Sequence, residues 1–207
     1  MKQGRMVNLK FSKSTIINKA MFLPQQLAQA IPFSTKKSPE ILRELMIEPD
    51  SSNAKTIKDT LKLCEDPGVK DEQKYCATSL ESMINFCTSK IGKDVQVLST
   101  DVEKENRLKK YRISKVTKVG ASDQTIACHK LTYAYAVFNC HKLPSTKAYV
   151  VSLADVDGKK VTAVAVCHGD TSTWNPEHIS FQILKVKPGS VPICHFLEAY
   201  AMIWVSN

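Results

Sequence analysis

The dipeptide Cys-His occurs four times in this chain, at residues 128–129, 140–141, 167–168 and 194–195. Ten residues separate the first two pairs, and 25 residues separate each later pair from the one before. The repeats use four of the five histidines and four of the seven cysteines. Zinc fingers and ribbons bring their ligands together through C-x2-4-C knuckles, a spacing absent here. Adjacency points elsewhere. Successive side chains of an extended strand point to opposite faces, so one strand cannot easily aim both members of a pair at one centre. The simplest geometry sets Cys128, Cys140, Cys167 and Cys194 on one face and His129, His141, His168 and His195 on the other. Four thiols could then form two disulfides, and four imidazoles could bind one or two metal ions. An all-imidazole set suits copper, zinc, nickel or iron, and a planar arrangement favours Cu(II). A four-histidine zinc site would be coordinatively closed and redox-silent.

Strands must therefore carry the pairs. Three of them close apolar, β-rich runs, "YAVFNCH", "TAVAVCH" and "VPICH". "AYVVSLADVDGKKVTAVAVCH" predicts a hairpin about Asp157-Gly158. "HISFQILKV" alternates and predicts a strand ending at Pro188-Gly189, and "AMIWV" a short buried strand. Before residue 95 the pattern is helical. Ser38-Pro39 predicts an N-cap and a first-turn proline ahead of "EILRELMI". Ser52 or Asn53 is placed to cap "AKTIKDTLKLC". Thr78-x-x-Glu81 reads as a capping box for "SLESMINFCTSKI", with Gly92 as its stop. The expected fold is α+β: short N-terminal helices packed on a predominantly antiparallel C-terminal β-sheet that carries the four Cys-His pairs. Residues 1–19 form a basic N-terminal segment. Residues 20–207 form one domain, mainly helical over 20–95 and mainly β over 96–207.

Composition bounds the function. Hydrophobic content of 43% and charged content of 24% are those of an ordinary globular protein. No apolar run is long enough to span a membrane. The first 20 residues hold five basic and no acidic groups, and lack the continuous apolar core of a secretory signal. The chain is then either cytosolic or a mature protein without its signal. The net charge of +9 comes largely from this segment and from "EKENRLKKYRISKVTK" (103–118). No nucleic-acid motif accompanies it, so nucleic acid is not an expected partner. An acidic polysaccharide or another anionic surface would use the same charge.

The spacing of the four pairs resembles that of the BURP domain family of plants. "FLPQQLAQAIPFS" (22–34) is similar to the family's opening motif, and "LCEDPGVKDEQKYCATSLESMINF" (63–86) to its cysteine-containing helical segment. "VAVCHGDTSTWNPEHISF" (164–181) is similar to its third Cys-His region. The resemblance runs from about residue 20 to 206. It implies a secretory protein bound for the vacuole or the apoplast and cell wall, in keeping with seven cysteines in one domain. Cys64 and Cys76 flank a turn-rich stretch and could clip its ends, which leaves Cys87 over as a small buried hydrophobe.

Some members of the family are copper-dependent peptide cyclases, which crosslink a Tyr or Trp side chain within a core peptide. By matching positions, the resemblance implies copper ligation by His129, His141, His168 and His195. Asp170 and His178, near the third pair, are candidate catalytic bases. Tyr133, Tyr135 and Trp174 could line the pocket or belong to the core. The first 74 residues contain no Tyr and no Trp, so the expected substrate is a separate or trimmed-off core peptide. The alternative is a non-enzymatic secreted metal-binding protein, associated with cell-wall pectin, stress or seeds.

Overall fold

The computed structural model describes residues 1–11, 20–100, 108–121 and 123–207. Parts of both basic stretches, residues 12–19 and 103–107, lie outside the described residues. The described elements in chain order are β1 (Met6–Leu9), α1 (Gln25–Ala30), a 3-10 turn (Thr35–Lys37), α2 (Ser38–Glu44), α3 (Ser52–Glu65), β2 (Gln73–Ala77) and α4 (Leu80–Ile91). There follow β3 (Val95–Ser99), β4 (Lys109–Val119), β5 (Thr125–Leu131), β6 (Val137–Lys142), β7 (Thr146–Asp155) and β8 (Lys160–His168). The chain ends with α5 (Ile179–Leu184), β9 (Ile193–Phe196) and β10 (Met202–Ser206). No helix among the described residues is long and apolar enough to cross a membrane.

The α+β expectation needs one correction, because the strands build two sheets rather than one. The first is ordered β1-β4-β7-β8-β9 and the second β2-β6-β5-β10-β3, and every pairing is antiparallel. Strand β2 also comes from the part of the sequence that reads as helical, and β1 from the basic N-terminal segment. Val164 and Val166 of the first sheet share a buried cluster with Ala127, Ile203 and Val205 of the second, so the sheets pack face to face. The outer face of the first sheet is covered by Phe11, in edge-to-face contact with Tyr111. On the outer face of the second lies α4, which buries Met83, Cys87 and Ile91 against Ile126, Cys128, Phe138, Cys140 and Trp204. Full burial of an Ile or Met side chain contributes about 1.5–3 kcal/mol. The helices α2 and α3 bury Ile41, Leu42, Ile57 and Leu61 with Tyr133, Tyr135 and Val137.

Helix starts differ from the sequence reading by a residue or so, for identifiable reasons. Helix α2 begins at Ser38 rather than after it, since the 3-10 turn runs directly into it. Glu65 holds that turn through the Ser34 hydroxyl and the Thr35 N–H. Ser51, not Ser52 or Asn53, caps α3 by accepting from the Ala54 N–H. The capping box of α4 is Ser79 with Ser82, not Thr78 with Glu81. Gly92 does end α4, with φ +87°.

The β7–β8 hairpin forms as expected, its turn held by Asp155 accepting from the N–H groups of Asp157 and Lys159. "HISFQILKV", in contrast, is not a strand. His178 caps a short helix by accepting from Ser180 N–H, and only Phe181 of α5 is buried. The local cap outweighs the alternation of Ile179, Phe181 and Ile183, which no strand among the described residues pairs.

Candidate metal centre

All four Cys-His pairs lie on strands: β5, β6, β8 and β9. Alternation decides where each side chain goes. In β8, Val164 and Val166 face the second sheet, and His168 continues that row; His195 stands opposite Val166. In β5, Ala127 faces the first sheet and His129 follows it; His141 stands opposite Ala127. The imidazoles of both sheets therefore project into the space between them. The thiols take the outer faces. Cys128 stands opposite Cys140 under α4 and the two are bonded, as are Cys167 and Cys194 across β8 and β9. A third disulfide joins Cys64 to Cys76.

The four rings form a chain across the gap. Ring centres lie 5.3 Å apart for His129–His141, 6.5 Å for His141–His168 and 5.6 Å for His168–His195. His168 is buried, His129 and His141 are half-buried, and His195 is exposed at the rim. Burial, reinforced by the neighbouring imidazoles, pushes His129 down to about 4 and His168 down to about 3. His195 is lowered too, by partial burial of its ring against the raising effect of the Phe196 carbonyl. Neutral imidazoles with free lone pairs are what a metal ion needs.

Partners at Nδ1 orient three of the rings. The Glu72 carboxylate lies 2.8 Å from Nδ1 of His141, the Thr146 hydroxyl 3.1 Å from Nδ1 of His168, and the Phe196 carbonyl 3.3 Å from Nδ1 of His195. Each contact leaves Nε2 as the remaining ring nitrogen, the arrangement by which outer groups orient metal-binding histidines. Neither Glu72 nor Thr146 belongs to the repeats, and no spacing in the sequence singles them out. Glu72 lies within the turn-rich stretch between Cys64 and Cys76. Burial raises its carboxyl, but the bonds from His141 and the Val69 N–H, with the charge of Lys74 nearby, outweigh that and hold it below the ordinary range.

The residues present fit a nitrogen-ligated transition metal, and imidazole donors suit copper among others. Among the described residues, the trio of potential ligand atoms within 4.8 Å of one another is Cys87, Cys128 and Cys140. That trio is no metal site. Two of its sulfurs are bonded to each other, and burial pushes the Cys87 thiol up to about 12, so it carries no thiolate. The imidazoles are gathered more loosely.

The other candidates separate. His178 stays close to the cluster through Trp174, whose ring lies 5.1 Å from His168 and 5.0 Å from His178. Its Nδ1 is committed to Ser180 N–H, which leaves Nε2 to take a proton. Asp170 is exposed, and its carboxylate accepts from Ser172 N–H within its own turn. Tyr133 and Tyr135 belong to the core beneath α2 and α3, and their buried hydroxyls have no hydrogen-bond partner among the described residues. A cleft of about 540 Å³ opens beside His141, lined by Lys62, Asp66, Gly68, Glu72, Lys74 and Asn139.

The chain is 47% identical over 209 residues to BURP domain-containing protein 3 of Oryza sativa subsp. japonica, covering 99% of this chain and 48% of that protein. It is 43% identical to BURP domain protein RD22 of Arabidopsis thaliana, covering 99% and 53%, and 38% identical to Protein RAFTIN 1B of Triticum aestivum, covering 90% and 52%. The chain thus spans about half the length of these relatives. The sequence pattern of the BURP domain matches residues 1–206. The chain belongs to the BURP domain family.

Proposed function

We propose that the chain is a copper-dependent oxidative peptide cyclase, acting on a Tyr or Trp side chain of a separate or trimmed-off ribosomal core peptide. The observation that carries this reading is the gathering of four imidazoles, from strands of two sheets, at a rim that reaches solvent through His195. Copper held there would supply, with dioxygen as terminal oxidant, removal of an electron and a proton from a phenol or indole. The chain's residues do the rest. His129, His141, His168 and His195 would hold the metal, and their strands are locked by the disulfides on the outer faces. Trp174, beside His168, offers a ring against which a substrate aromatic rests. The free nitrogen of His178 takes the phenol proton, a role for which Asp170, engaged in its own turn, is less suited.

Three disulfides support residence in the secretory pathway, in the vacuole or apoplast. The net charge of +9 favours a second reading, a non-enzymatic metal-binding protein held on an acidic cell-wall polysaccharide. Incubation with Cu(II), dioxygen and a Tyr-containing peptide separates the two. Loss of two hydrogens from the peptide, abolished by a chelator, supports the cyclase. Unchanged peptide, together with salt-sensitive binding to polygalacturonate, supports the second reading.

A further inference from the structure

The loop between α3 and β2 takes no part in the repeated pairs, yet it reaches one of them. It is clipped at its base by Cys64–Cys76. Within it, Asp66 accepts from the Gly68 N–H, and Lys74 donates to the Asp66 carbonyl. Glu72 ends the loop with its side chain only 11% exposed. One carboxylate oxygen lies 2.8 Å from Nδ1 of His141, and the other accepts from the Val69 N–H at 2.9 Å. Gly68 makes that seat possible. A Cβ there would stand 2.2 Å from the Glu72 carboxylate, and its φ of +78° is one that other residues rarely adopt. A carboxylate is thus held by a covalent clip, a backbone N–H and a side-chain vacancy against an imidazole 69 residues away.

An ionised carboxylate only accepts hydrogen bonds, so the His141 nitrogen facing it carries the hydrogen. We propose that Glu72 is a positioning residue for the metal centre, and that the clipped loop is the device that carries it. It fixes His141 as the Nδ1–H tautomer, leaving Nε2 as that ring's ligand atom between His129 and His168. This rests on the reading of His141 as a metal ligand.

The test compares the wild-type chain with Glu72→Gln, Glu72→Ala, Gly68→Ala and His141→Ala. Long-range proton–nitrogen NMR of the metal-free chain reports the His141 tautomer, and a competition titration reports Cu(II) affinity. Wild type should show Nδ1–H at His141. Glu72→Ala should lose that preference and bind Cu(II) about 10- to 100-fold more weakly. Gly68→Ala, whose Cβ displaces the carboxylate, should do the same. Glu72→Gln is isosteric and keeps the loop; its single carbonyl accepts from His141 or from Val69 but not from both, so it should fall between. Wild-type tautomer and affinity in Glu72→Ala and Glu72→Gln would overturn the proposal, as would a shifted tautomer with unchanged affinity while His141→Ala loses copper. Unchanged affinity in His141→Ala would instead overturn the ligand reading beneath it.

Discussion

The metal-free chain should lose stability on mild acidification because burial holds His129 and His168 neutral. Unfolded, a histidine titrates near 6.5; folded, His129 is pushed down to about 4 and His168 to about 3. Between those values the unfolded chain binds more protons than the folded one, so stability falls as pH falls. The contribution is fully present above about pH 6.5 and is lost as pH drops toward the folded values. From pH 7 to pH 5 each group costs about 2 kcal/mol, and the two together about 4 kcal/mol. His195 shifts in the same direction and adds to the effect. Glu72, held below the ordinary carboxylate range, does not titrate in this window. Urea unfolding of the chelated protein at pH 7, 6 and 5 measures the slope, and the His129→Gln/His168→Gln variant supplies the control. The control should lose much less over the same range. A wild-type loss under about 1 kcal/mol, or an equal loss in the control, would refute the claim that these imidazoles are buried in neutral form.

Replacing Cys64 and Cys76 by serine opens a bridge of sequence separation 12, and loop entropy gives a loss of about 3 kcal/mol in urea unfolding. The Cys167–Cys194 bridge, with separation 27, should be worth about 3.6 kcal/mol on the same basis. Alkylation without reductant should label no cysteine in the native chain and Cys87 alone after denaturation, as peptide mapping would show. Ser79→Ala removes the side-chain acceptor of the α4 capping box and should cost about 1 kcal/mol, read as a shift of the urea midpoint with unchanged slope.

Much of this architecture was legible because alternation in strands is a strict rule. Cys-His adjacency on an extended backbone separates sulfur from imidazole, and β5, β6, β8 and β9 do so. The split into two sheets was not legible, because no local signal tells a strand which partner it will join. That is why His129 and His141 arrive from one sheet and His168 and His195 from the other. "HISFQILKV" misled because a period-two pattern over a few residues competes with capping, and the His178 cap prevails. Ser51 and Ser79 cap one position away from, or beside, residues that look equally suitable, a choice set by which backbone N–H each hydroxyl can reach. Glu72 was invisible for a different reason. Its meeting with His141 depends on the β2–β6 register, which opposes Lys74 to His141, and on the seat left by Gly68.

The central claim is that the four repeated imidazoles hold copper as one centre. Equilibrium Cu(II) titration of His129→Ala, His141→Ala, His168→Ala, His195→Ala and His178→Ala, each checked for native circular dichroism, tests it most directly. Each of the first four should lower copper occupancy, Cu(II) should bind more tightly than Ni(II) or Zn(II), and His178→Ala should change occupancy little. Loss of copper in His178→Ala, with occupancy retained in two or more of the others, would contradict the account.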